Sequence, residues 1–314
     1  MDEERIRRYM KDVFHVVILL ALILFLLGLL TWSGILGCSA IPGWCEVYWM
    51  FTGEPRTLIA YGDSGLGDHE LLQYYMQHPQ YLGLRVDSRK IDYLGLGNLK
   101  QYDLVIVTEA RKMSTQKMKM FVDYALEGGK LVWTGDAGAE LAEGDEFVYR
   151  DDEEEGAVHE MISPWARRDL DKTDGNYGVF LNRLLSLDYI TNYCLEKKCT
   201  EGKEPWIGMF RFDPGEDHKL VLGLDPTLQL YGDFAIVKER GDRLTTIVLS
   251  VDSLAIITTE GGGNLGKVFP IIVTSGVGEK VVYYSAPLEN YLKESQGGRY
   301  SDQLLRNMYY GMIK

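Results

Sequence analysis

Three observations predict the fold class of this 314-residue chain: an α/β domain on a doubly wound, mostly parallel sheet with a β-rich insertion, behind one N-terminal transmembrane helix. Residues 13–36 are almost wholly apolar. Residues 57–134 alternate apolar runs with helical patterns in the order strand, helix, strand, helix, strand. That alternation breaks off over about 141–267 and resumes over 270–313.

The apolar run comes first. Its heart, 16–30, is Val, Ile, Leu, Ala and Phe with one Gly. As a helix the full run reaches about 36 Å, enough to cross a hydrocarbon layer of about 30 Å with some tilt. Arg5, Arg7, Arg8 and Lys11 precede it, and no Lys or Arg follows until Arg56. The charge asymmetry puts residues 1–12 in the cytoplasm and everything after the span outside, as a single-pass protein of the cell membrane. Two alternatives stay open. A cleaved signal peptide would have a shorter apolar core. Ile35-Leu36-Gly37-Cys38 resembles a lipobox, whose use would lipidate Cys38 and leave Cys45 unpaired. All three readings put the bulk of the chain on the same side.

The four cysteines form two close pairs, Cys38 with Cys45 and Cys194 with Cys199. An even count in short loops fits disulfides in an oxidising compartment. Residues 37–55 form an aromatic juxtamembrane collar with Trp44, Tyr48, Trp49 and Phe51. Such rings commonly sit at the membrane interface.

Net charge is −13, and no face gathers Lys and Arg, which excludes nucleic acid as a partner. Much of the negative charge lies in 140–155, including Asp151-Asp152-Glu153-Glu154-Glu155, and reads as a solvated loop without calcium-loop spacing. Asp169 to Gly175 misses the EF-hand register by one residue. The five histidines show no metal spacing, so no metal or other cofactor is expected. Gly261-Gly262-Gly263-Asn264-Leu265-Gly266-Lys267 copies the start of a phosphate loop. Val268 follows instead of Ser or Thr, and a strand instead of a helix, so it reads as a hairpin loop with no nucleotide.

The globular part opens with a strand at 57–61 and a helix at 69–77, then a strand at 82–91 and another at 102–108. Ser114 caps the next helix, Gly128-Gly129 ends it, and 130–134 is a strand. Residues 177–193 read as helical. Runs at 218–224, 228–238, 245–251 and 255–258 read as strands, with a turn at Asp242. Residues 270–274 and 279–285 are strands around the turn Gly276-Val277-Gly278, and 301–313 is a closing helix. The domain is therefore 56–314 with an insertion over about 141–267, and the expected sheet is flavodoxin-like.

Tyr102-Asp103-Leu104-Val105-Ile106-Val107, the helix after it, and Gly128-Gly129-Lys130-Leu131-Val132-Trp133-Thr134-Gly135-Asp136 resemble the class I glutamine-amidotransferase-like superfamily. More narrowly they resemble its non-catalytic branches, the GIFT-type domains included. Val277-Gly278-Glu279-Lys280-Val281-Val282-Tyr283-Tyr284-Ser285 is similar to that superfamily's late hairpin, and Leu304 to Met308 to its terminal helix. The resemblance covers 56–140 and 268–314. It implies a nucleophilic Cys on the turn after Thr134 and a His-x-Glu after the late strand. This chain has Gly135-Asp136-Ala137-Gly138 at the first place and Pro287-Leu288-Glu289 at the second. The resemblance therefore implies a non-enzyme: a scaffold or accessory subunit partnered with other envelope or membrane proteins.

One edge remains for a ligand. Asp63, Ser64 and Asp68 lie in the loop after the first strand, with Glu109 and Asp136 at the ends of its neighbours, where open α/β sheets bind ligands. These carboxylates could hold a cation or serve an envelope hydrolase or a sugar sensor. The structural alternative makes Asp63 and Asp136 helix N-caps and turn residues, near the same sheet edge with no His or Cys within hydrogen-bond reach.

The charge asymmetry also generates a direct test of topology. In intact cells, a membrane-impermeant thiol reagent should label Glu153→Cys and leave Glu3→Cys unlabelled; the reverse pattern overturns the orientation.

Overall fold

The computed structural model describes residues 3–33, 41, 43–145, 149–150, 160–161, 163–167, 179–200, 205–212, 218–225, 227–241, 245–259, 262–276, 278–292 and 302–313. It divides into two compact units, one over residues 1–54 with 313–314 and the other over 55–312.

In the first unit, helix α1 runs Glu3–Trp32. Its segment Met10–Trp32 has a mean hydropathy of 3.1 and is 0% buried, so it is long and apolar enough to cross a membrane. The helix ends four residues before the expected 36. Ser33 closes the last turn, its N–H donating to the Leu29 carbonyl at 2.9 Å and its hydroxyl to that of Leu30 at 3.0 Å. The collar contains a second helix, α2, over Trp44–Thr52, flanked by Gly43 and Gly53 in positive-φ conformations. Trp44 Nε1 donates to Thr31 Oγ1 at 2.8 Å, a buried bond that ties α2 to the end of α1.

The second unit is built on a nine-stranded sheet. Its strands are β1 (Thr57–Ser64), β2 (Val86–Lys90), β3 (Leu104–Ala110), β4 (Leu131–Thr134), β5 (Trp206–Phe212), β6 (Gln229–Tyr231), β7 (Thr245–Thr258), β8 (Asn264–Ser275) and β9 (Val281–Tyr284). In space they run β6-β5-β7-β8-β9-β4-β3-β1-β2. The pairs from β9 to β2 are parallel, and those from β6 to β9 antiparallel. Helices α3 (His69–Gln77), α4 (Thr115–Leu126) and α5 (Gln303–Met312) accompany the parallel half.

The central strands are buried on both faces, as their unbroken apolar runs require. Leu58, Ala60, Val105, Val107, Leu131 and Trp133 share one core cluster with Met118, Phe121 and Tyr124 of α4. The alternating Ile59, Leu104, Ile106 and Val132 are fully buried outside that cluster. Asp68 caps α3, accepting from the Leu71 N–H, and Ser114 caps α4, accepting from that of Lys117.

The insertion departs from its reading over 228–238, which is two strands, Gln229–Tyr231 and Ala235–Glu239, in different sheets, and in three further places. First, among the described residues of 177–193, Tyr193 opens a short helix, Tyr193–Lys197, and otherwise only Leu181–Leu185 is helical. Ser186 then takes a left-handed φ of 55°, and Leu187–Asn192 becomes a strand antiparallel to Ala235–Glu239. Tyr189, Ile190 and Thr191 suit a strand, but that strand exists only through a partner some fifty residues away. Second, 218–224 forms turns, while the strand is β5, hidden by the glycine at its centre. Gly208 lies against β7, where a Cβ would fall 2.0 Å from the Asp252 carbonyl oxygen. Third, 245–251 and 255–258 are one strand, β7. Polar Asp252 and Ser253 look like a turn but pair with Met209 and Gly208. Of the phosphate-loop lookalike, Asn264 to Lys267 already belong to β8, which runs antiparallel to β7 with Thr258 opposite Asn264, so a strand and not a helix follows. The turn expected at Asp242 lies outside the described residues.

Arg167 is fully buried and secures the start of the insertion. Its guanidinium donates to the backbone carbonyls of Met113, Gly138, Glu140 (2.7 Å) and Pro164 (2.9 Å). Burial pulls its pKa down to about 10, which leaves it charged at neutral pH. Arg167→Met should therefore strand several buried acceptors and lower stability by about 3 kcal/mol. Arg167→Lys should not rescue it, because a point charge cannot reach four carbonyls at once. Thermal unfolding of the detergent-solubilised chain reads this, and an unchanged Tm in the Met variant would refute the clamp.

Candidate functional site

Strands β1, β3, β4 and β9 end at one sheet edge, in matched register at Ser64 with Ala110 and Tyr284 with Thr134. The loops that leave this edge carry Gly65 to Asp68, Arg111, Gly135 to Ala139, and Ser285 to Glu289. Their carboxylates are engaged internally.

Asp136 is 1% exposed. Its Oδ1 accepts from the Leu66 N–H at 2.7 Å and its Oδ2 from the Asn192 side-chain amide at 2.8 Å, with the Arg111 guanidinium 3.7 Å away. Asn192 is itself fixed, accepting from the Tyr189 hydroxyl at 2.9 Å. Glu289 is 0% exposed, and its Oε1 accepts from the Asp68 N–H at 2.5 Å and the Thr108 hydroxyl at 3.1 Å. A buried carboxylate is tolerable only when hydrogen-bonded, and both are.

The other expected site residues divide. Asp68 caps α3 through Leu71 at 2.9 Å. The Ser64 carbonyl accepts from the Arg111 N–H at 2.7 Å. Asp63, largely exposed, pairs with Lys90 at 2.7 Å.

The sharp turn after β4 is made by Gly135, at φ +56°, and Asp136 follows it. A Cβ on Gly135 would stand 2.9 Å from Leu66 Cβ and 3.6 Å from Pro287 Cγ. The loop after β1 thus packs directly against the turn that leads into Asp136.

The edge also carries a histidine–carboxylate pair, away from Asp63 and Asp136. His69 Nδ1 lies 2.7 Å from Glu109 Oε2, and the His69 backbone N–H reaches the same oxygen at 3.2 Å. The imidazole stacks on Tyr61, centroids 3.6 Å apart and planes within 7°. Glu109 has a φ of +50°, a left-handed conformation that costs a non-glycine residue about 1 kcal/mol or more. Both side chains are partly exposed. With Nδ1–H donating to the carboxylate, Nε2 keeps its lone pair and can act as a base or a ligand. Sequence reasoning placed His69 only as the first residue of a helix. Glu109 is forty positions away, and strand pairing alone brings them together.

The insertion also crosses this edge at Asn192–Cys194. Cys194 and Cys199 form a disulfide, S–S 2.08 Å and Cα–Cα 4.9 Å, so no thiol arrives with them. Cys45 is disulfide-bonded too, while Cys38 lies outside the described residues. The Cys194 and Phe234 backbone N–H groups donate to Asp233 Oδ1 at 2.8 and 2.9 Å. Burial pushes the Asp233 carboxyl up to about 6 against those two bonds, with Asp136 adding to the rise. Among the described residues, no group of three or more His, Cys, Asp or Glu could hold a metal ion.

No protein-family model matches the chain, and no curated protein does. Solved structures similar to it include a ThuA-like protein from Bacteroides uniformis, 16% identical, covering 82% of this chain and 91% of that one, with a TM-score of 0.45. A β-galactosidase from Rahnella is 12% identical at TM-score 0.45 over 85% of this chain, which spans about a third (33%) of its length. PurLQS from Thermotoga maritima is 10% identical at TM-score 0.43, covering 82% of this chain and 99% of that one. All three TM-scores lie under 0.5.

Asp233 gives a pH prediction with a definite sign. Its folded pKa of about 6 lies above the ordinary 3.8. Between those values the folded state holds more protons than the unfolded chain, so stability falls as pH rises through that window. Asp233→Asn keeps the acceptor and removes the charge. It should stabilise the protein by about 2 kcal/mol at pH 7.5 and by almost nothing below pH 4. Denaturant unfolding at both pH values checks this, and an Asn variant weaker than wild type at pH 7.5 would refute it.

Proposed function

We propose that this chain is a membrane-anchored, extracytoplasmic, non-catalytic amidotransferase-like domain that serves as a scaffold or accessory subunit of an envelope complex. In this reading α1 is an uncleaved signal anchor with its N-terminus in the cytoplasm. The parallel half of the sheet is a doubly wound, flavodoxin-like core, and the domain is kin to the GIFT-type branches. The disulfide Cys194–Cys199 supports the oxidising side of the membrane.

The observation that carries the proposal is the state of the nucleophile turn. Gly135 has no room for a side chain, and Asp136 behind it is buried with its oxygens held by Leu66 and Asn192. Pro287 stands where a base would be. An edge whose buried carboxylates are tied to its own loops fits a surface that positions partners.

A second reading is favoured by His69. An imidazole oriented by Glu109 at the carboxyl edge of the sheet has the form of a general base, and it fits an envelope hydrolase or a sugar sensor.

Affinity purification from detergent-solubilised membranes separates the two. The scaffold reading expects a stable, stoichiometric complex that survives in His69→Ala. A lone monomer, with hydrolysis of envelope glycan or peptide abolished in His69→Ala, would replace it with the second.

A further inference from the structure

The first unit contains a groove that the anchor alone does not require. It lies between the last third of α1 and the face of α2, has a volume of about 410 Å³, and is lined by Phe25, Gly28, Leu29, Trp44, Val47 and Phe51, with Trp32 and Tyr48 at its borders. Gly28 opens it: a Cβ built there would meet nothing within 4 Å. The two helices are fixed as its walls by the Trp44–Thr31 bond.

We propose that this groove is a binding site for one acyl chain of a membrane lipid; the inference rests on the anchor reading of α1 given above. Its lining residues on α1, 24 to 32, are the final part of the Met10–Trp32 span, so the groove lies at membrane depth, where its filler is hydrocarbon. A partner's transmembrane helix fits it poorly. Close helix packing needs small residues along the interface or polar groups to bridge it. Here Gly28 and Thr52, on different helices, are set among large lining residues, and Phe25, Trp32 and Phe51 project, 66%, 78% and 86% exposed. The polar groups near the groove are used internally, Thr52 donating to the Tyr48 carbonyl at 3.1 Å and Trp44 to Thr31. A flexible chain fills so irregular and nonpolar a space, while the aromatic border suits the headgroup level above it.

The test uses the full chain in phosphatidylcholine vesicles doped with a phosphatidylcholine that carries a photoactivatable diazirine in its acyl chain. After irradiation, labelled positions are mapped by peptide mass spectrometry. Val47, Phe51 and Leu29 should be labelled several-fold more than Leu26, an exposed α1 residue outside the groove lining. Gly28→Leu should bring groove labelling down to the level of Leu26 and leave Leu26 unchanged. Leu is the better helix former, so α1 itself is not at risk. Groove labelling no higher than that of Leu26 would mean ordinary solvation by lipid and would overturn the site. Groove labelling displaced by a co-purifying protein cross-linked at Phe51 would assign it to a partner helix instead. No labelling anywhere on α1 would remove the anchor reading itself, a distinct failure.

Discussion

Much of this structure hangs on the carboxylate of Asp136. It sits at the end of a central strand, almost wholly shielded from water, and takes hydrogen bonds from two distant parts of the chain: the loop after β1 through Leu66, and the inserted segment through Asn192. Arg111, just beyond β3, adds its charge to the same point. A polar group buried in that position needs hydrogen-bond donors in place around it. The knot therefore holds three chain segments in one arrangement at the edge where α/β sheets ordinarily receive ligands.

The same economy governs the rest of the edge. Glu289 ties the first residues of α3 to β3 through Asp68 and Thr108. Gly67 allows this closeness, since a Cβ there would collide with Thr108 Oγ1 at 2.3 Å. Carboxylates held in this way are structural ties between segments. His69 and Glu109 are the exception. They keep partial exposure and a strained backbone, which is how a chemically usable pair would be left.

The insertion shows where reading along the chain stops working. Its strands β5, β6 and β7 extend the main sheet in antiparallel fashion, and its Leu187–Asn192 ribbon pairs with Ala235–Glu239. Nothing local marks these pairings. β5 carries a central glycine, β7 is interrupted by Asp252 and Ser253, and the ribbon begins as a helical turn at Leu181–Leu185. By contrast, the helix at His69–Gln77, the Ser114 cap and the buried runs of β3 and β4 were readable, because caps and apolar periodicity act within a few residues.

The sequence by itself determined the apolar helix long enough for a membrane, the alternating strand and helix core, the Cys194–Cys199 pairing, and the absence of a Cys or Ser after β4. Each follows from short-range chemistry: hydropathy, capping, spacing and residue type. Only the tertiary structure decided that Asp136 and Glu289 are buried ties, that His69 meets Glu109 over Tyr61, and that a groove opens at Gly28. Those outcomes join residues forty to more than two hundred positions apart, or depend on how two helices lean together. No local propensity encodes them, because their stability comes from burial and hydrogen bonds that exist only once the chain has closed on itself.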